Sequence, residues 1–127
     1  MSDAKEDGYG VVRSMLGPEV EELMRNSAAS DAFAGAIGEL SVENVFGRLW
    51  SREGLGRRER SLVTLGILIA LRATEEMQYH FPLALKNGLT RDELAEVIYH
   101  ASGYAGFPAA ATAALVGQKI FDGKAFE

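Results

Sequence analysis

Apolar side chains crowd most densely between Leu62 and Leu71, where Leu-Val-Thr-Leu-Gly-Ile-Leu-Ile-Ala-Leu leaves no polar stripe. A helix built from that run has no wet face, which predicts a hub that protein surrounds on every side. Arg57-Arg58-Glu59-Arg60-Ser61 leads into it. Behind it, Met77, Phe81, Ala84 and Leu85 recur at helical spacing from about Glu75 to Lys86, with a kink expected at Pro82. Asn87-Gly88 predicts a left-handed helix end. Thr90-Arg91-Asp92-Glu93 is a capping box, and Leu94, Val97, Ile98, Ala101 and Tyr104 form the stripe that follows. Pro108 opens a last, alanine-rich helix, Ala109 to Phe121, small enough to pack closely against the hub.

The first half of the chain reads as a shell for that hub. Residues 1 to 8 are polar and expected to fray. Val11, Val12, Met15 and Leu16 predict a short helix from Tyr9 to Gly17-Pro18, and Val20, Leu23 and Met24 give the next stripe. Ser30 and Asp31 can cap a helix over Ala32 to Trp50, whose core positions are Phe33, Ile37, Leu40, Val45, Phe46 and Leu49. That segment is one helix or two, with a break near Gly38 or Ser41. Trp50 reads as a packing anchor. Nothing alternates with the period of a strand. The fold class is all-α, about seven helices, in one domain over residues 1–127.

Composition narrows the function. The chain has 127 residues, a net charge of −5 and no basic stripe, so it lacks the electrostatic footprint of a nucleic-acid binder. The longest apolar run falls short of the ~20 residues a spanning helix needs, and no leader pattern opens the sequence. The expectation is a cytoplasmic protein with no membrane partner. Cysteine is absent, which removes thiolate chemistry and sulfur-ligated metals.

Glu76 and His80 stand four residues apart on one helix face beside the apolar stripe. Partial burial there would perturb both titrations and suit proton transfer near neutral pH. The same spacing also describes a surface pair worth a few tenths of a kcal/mol. His100 is the other histidine, and two imidazoles without a third ligand make a poor metal site, so no metal is expected. His100 also fits a core-edge role, bonded to a neighbour. Arg48, Arg52, Arg57, Arg58 and Arg60 gather around the loop before the hub. Most read as a solvated segment, but one or two could bind substrate carboxylates.

Taken in order, Leu49-Trp50, the run from Arg57 to Leu65, Glu76, His80, the run from Phe81 to Thr90, Asp92-Glu93-Leu94 and Tyr104-Ala105-Gly106-Phe107-Pro108-Ala109 resemble the carboxymuconolactone decarboxylase family. The related alkylhydroperoxidase D branch carries Cys-x-x-Cys-x-x-x-His at this helix. Those cysteines would fall at Ala73 and Glu76, and without them thiol peroxidase chemistry is excluded. The resemblance implies an alkylhydroperoxidase D-like helical bundle, assembled as a homotrimer or homohexamer. It implies cofactor-free decarboxylation of 4-carboxymuconolactone, an anionic lactone, to the 3-oxoadipate enol-lactone in aromatic-acid breakdown. His80 would be proton donor or oxyanion partner, Glu76 the group that orients it and raises its basicity, and Arg60 and His100 binders of substrate charge. Pro82 and His100 depart from the family pattern, where a basic residue and a glutamine are expected. Two other readings stay open: a same-fold enzyme for another lactone or enol acid, and a non-catalytic oligomeric helical module.

Overall fold

The computed structural model describes residues 3–124. These form seven α-helices and one π-helical segment, with no strand among the described residues. They fall into two compact units, Met1–Leu55 and Gly56–Glu127. None of the helices is long and apolar enough to cross a membrane.

In the first unit, α1 spans Ala4–Leu16 and α2 spans Pro18–Ala28. Helix α1 starts well before Tyr9, because the Asp3 side chain accepts the backbone N–H groups of Lys5 and Glu6 at 3.0 and 3.4 Å. The fraying expected through residue 8 is therefore not seen over residues 4–8, which are helical, while residues 1 and 2 lie outside the described range. Arg25 ties the two helices together. It sits 3.9 Å over the Tyr9 ring and pairs with Glu6 and Glu21, each at 2.9 Å.

The next helix begins later than expected. Ser30 Oγ does accept the Ala32 N–H at 3.4 Å, but Ala34 takes a left-handed conformation with φ 52°. Regular winding starts only with α3, Ala36–Ser41, and passes directly into the π-helix Val42–Trp50. The wider winding explains why the 3.6-residue reading failed at Val45 and Leu49. A π-helix bonds i to i+5, so Val42 and Gly47, five residues apart, share the buried side with Trp50. Phe33, Ile37, Leu40, Val45 and Leu49 are instead exposed, Phe33 fully so at 102%, as is Leu23 of α2.

The π-helix lies against α1 at near backbone contact. A Cβ on Gly8 would fall 2.1 Å from the Val42 carbonyl oxygen, and one on Gly47 would fall 2.0 Å from that of Ala4. Only hydrogen fits at either crossing. Tyr9, Val12 and Val42 close the core around them, with Leu16, Val20, Met24 and Phe46 packed on its edge.

The second unit is built on α4, Arg57–Leu71, with α5, Thr74–Lys86, α6, Arg91–Ala105, and α7, Phe107–Phe121. Leu65 and Ile69 are completely buried, in one core with Met77, Phe81, Ala84, Leu94, Ala109 and Ala113. The hub is covered on this side alone. Val63, Ile67 and Leu71 are 55%, 54% and 70% exposed, so the second unit by itself does not surround α4 as its composition predicts. Tyr104 likewise leaves the expected α6 stripe and is exposed.

Local chemistry ends the helices much as the sequence indicates. Gly88 takes φ 106° after α5, and the Thr90–Glu93 capping box forms in both directions at 3.0 and 3.1 Å. Helix α5 runs through Pro82 without a break, with that residue exposed. In α7, Ala109, Ala113 and Gly117 are buried, and a Cβ on Gly117 would touch the Phe81 ring at 4.0 Å. Small residues there set how closely α7 lies on α5.

The glycine crossings yield a direct test. Gly47→Ala should destabilise the first unit by ~1–3 kcal/mol, the usual cost of forcing atoms into filled space. Gly10→Ala, in the same α1 with nothing within 4 Å of its Cβ, should instead gain ~0.5–1 kcal/mol. Denaturant unfolding of both variants measures this, and equal stabilities would contradict the close crossing.

Candidate active site

Helix α5 carries both residues of the acid–imidazole pair. Its burial is set by Met77, Phe81 and Ala84, which point into the core, so the helix cannot rotate without exposing them. That fixes His80 at the edge of the core, half-buried, while Glu76 one turn earlier is exposed. Burial pushes the His80 imidazole below its ordinary value of 6.5, and the Glu76 carboxylate pulls weakly the other way. Desolvation wins because the carboxylate acts through solvent, where Coulomb interactions are screened. The resting imidazole is therefore neutral at pH 7. It can donate one N–H, accept a proton, and become a cation when an anion arrives beside it.

The other two candidates lie on different helices. Arg60 is half-buried in the first turn of α4, and its carbonyl accepts the Thr64 hydroxyl at 2.8 Å. His100 is on α6 and lines a trough between α4 and α6. Glu76, His80 and Arg60 do not line that trough, so it does not gather all four residues. The α4 arginine at the trough is Arg58, about 200° around the helix from Arg60.

Two features went unread in the sequence. Arg58 pairs with Glu93, the residue that also completes the capping box of α6, so one carboxylate holds the starts of both helices. The distance of thirty-five positions between them gives no local signal. The second feature was legible. Glu96 stands four residues before His100, repeating the spacing of Glu76 and His80. Among the described residues, no group of three or more His, Asp or Glu side chains is placed to hold a metal ion.

Linkage gives the site a measurable signature. A histidine with a depressed folded pKa contributes stability in full above its unfolded value, and loses it as pH falls through the folded value. The wild type should therefore lose stability as pH falls below about 6.5. His80→Gln should flatten that part of the profile. Glu6 and Glu21, held below 4.5 chiefly by hydrogen bonds from Arg25, act only at lower pH. Thermal melts between pH 7 and 5 check this, and parallel profiles for wild type and variant would contradict the burial of His80.

Comparison with known proteins identifies the family. The profile of the Carboxymuconolactone decarboxylase family matches residues 36–119. A nitrosuccinic acid decarboxylase from Metarhizium robertsii is 38% identical over 118 residues, covering 92% of this chain and 80% of the fungal protein. A 4-carboxymuconolactone decarboxylase from Acinetobacter baylyi is 45% identical over 76 residues, covering 60% of this chain and 57% of its own length. An uncharacterised 15.0 kDa protein from Paracoccus denitrificans is 34% identical over 82 residues, 63% of this chain and 61% of that protein. The chain belongs to the carboxymuconolactone decarboxylase family.

Proposed function

We propose that this chain is a decarboxylase that works without a cofactor on an anionic substrate, 4-carboxymuconolactone or a related carboxylated lactone. The observation that carries the reading is the Glu76–His80 pair on α5, held at the edge of the core, in a chain of this family. Loss of carbon dioxide leaves an electron pair that spreads through the unsaturated lactone to its carbonyl oxygen. One proton must then reach carbon. A neutral, half-buried imidazole suits both tasks. Its N–H can hydrogen-bond the developing oxyanion, and the substrate's negative charge raises its affinity for the proton it delivers. Glu76 favours the imidazolium and orients the ring. Arg60 is the proposed binder of a substrate carboxylate.

A second substrate class has its own support, since the nitrosuccinic acid decarboxylase matches nearly the whole chain. A nitro group beside the leaving carboxylate accepts the electron pair on its oxygens, as the lactone carbonyl does. The demands on His80 are the same. The two readings differ in the electron sink, and a panel of both substrates separates them.

His80→Ala should lower turnover by ~10²–10⁴-fold, the usual contribution of a general acid or base. Its melting temperature at pH 7 should stay near that of wild type. A surface pair would instead cost about 0.2–0.5 kcal/mol of stability and nothing in rate. Turnover of carboxymuconolactone and nitrosuccinate, followed beside thermal melts, decides between these outcomes.

The assembly belongs to the same proposal. Val63, Ile67 and Leu71 leave one side of α4 apolar and exposed, and that side supports a homotrimer or homohexamer. Sedimentation at micromolar concentration should give three chains or more. A stable, active monomer would contradict it.

A further inference from the structure

The trough between α4 and α6 has a volume of about 820 Å³, within the range of pockets that hold small organic molecules. Its two walls differ in character. Leu62, Gly66 and Ala70 of α4 supply one apolar side. Along α6, Glu96, His100 and Tyr104 succeed one another at single-turn spacing and line the other. The His100 and Tyr104 rings lie 5.2 Å apart, tilted by 39°. The Arg58–Glu93 ion pair closes the end where both helices begin.

Gly66 marks where an occupant would approach most closely. It sits mid-helix, where glycine is disfavoured, yet beyond its chain neighbours and the adjoining backbone of α4 no protein atom lies within 4 Å of where its Cβ would be. No neighbour in the fold explains the missing side chain. What it does is leave the floor of the trough open to a flat ring.

Charge selects the kind of ring. The ionised lining is one arginine against two glutamates, and the arginine is already paired with Glu93. Glu96 makes no ion pair among the described residues, so its carboxylate faces the trough as an acceptor without a compensating cation. A carboxylate ligand would meet repulsion there. An uncharged ligand that donates a hydrogen bond would not.

We propose that this trough is a small-molecule site separate from the Glu76–His80 pair, and that it takes an uncharged, phenol-like ring compound. The ring lies on the Gly66 floor against Leu62 and Val97. Its hydroxyl donates to Glu96 or to the His100 imidazole, and Tyr104 packs over the far edge. The site is distinct from the proposed catalytic pair in charge preference as well as position, since a dianionic lactone does not suit a trough with excess negative charge.

The probe is 2-naphthol, titrated into the intact protein at pH 7.5 and followed by its fluorescence, with 2-naphthoate as the charged counterpart. Binding should saturate at one molecule per chain, with 2-naphthoate at least tenfold weaker. Gly66→Leu, which fills the trough, should weaken 2-naphthol at least tenfold, and Glu96→Gln should weaken it several-fold while leaving the fold intact. His80→Ala should bind as wild type does, so loss of turnover in that variant leaves this result untouched. The proposal is overturned by absence of saturable binding, by 2-naphthoate binding as tightly as 2-naphthol, or by unchanged affinity in Gly66→Leu and Glu96→Gln. It is also overturned if Gly66→Leu changes the sedimentation of the protein, because a second copy then covers the trough.

Discussion

The second unit depends on the burial of one face of α4. Leu65 and Ile69 have no exposed surface, and α5, α6 and α7 all pack against the helix that carries them. Replacing either by alanine removes apolar contacts and leaves a cavity, a change that costs ~2–5 kcal/mol in comparable cores. The same face holds Ser61, whose buried hydroxyl accepts the Asn87 side-chain amide at 2.9 Å. Asn87 ends α5, so this bond fixes where that helix stops relative to the start of α4. His80 takes its position from this arrangement.

How much could be read beforehand varied with how local the determinants are. The capping box, the glycine turn after α5 and the alanine-rich α7 are determined by neighbours in sequence, and they appear where the residues place them. The all-α class, the stripe of α5 and, Tyr104 apart, that of α6 follow from 3.6-residue periodicity in the same way, whereas the apolar run of α4 carries no mark of the side that stays exposed. The segment from Ala32 to Trp50 did not, for two physical reasons. Ala34 turns left-handed and delays the helix, and the π-winding after Ser41 spaces buried positions by five residues. The π-helix also lies against α1 at a tertiary contact, the backbone crossings at Gly8 and Gly47, which no helical pattern encodes.

The candidate site was legible as a pair and not as an assembly. Glu76 and His80 share a helix, so spacing alone places them on one side of it. Arg60 and His100 come from other helices, and His100 faces a trough with Glu96 rather than with the α5 pair. The direction of the His80 shift also depends on packing. A neighbouring carboxylate read from sequence suggests a raised pKa, while the core edge that Met77 and Phe81 define removes water and lowers it. Burial decides the sign.

That competition between desolvation and a nearby carboxylate makes the pair the centre of the account, and a double-mutant cycle in turnover tests it most directly. Glu76→Gln keeps the shape and removes the charge, so it should slow decarboxylation by itself. If Glu76 acts only through His80, Glu76→Gln combined with His80→Ala should be little slower than His80→Ala alone. Losses that multiply, or a Glu76→Gln variant as fast as wild type, would contradict the account.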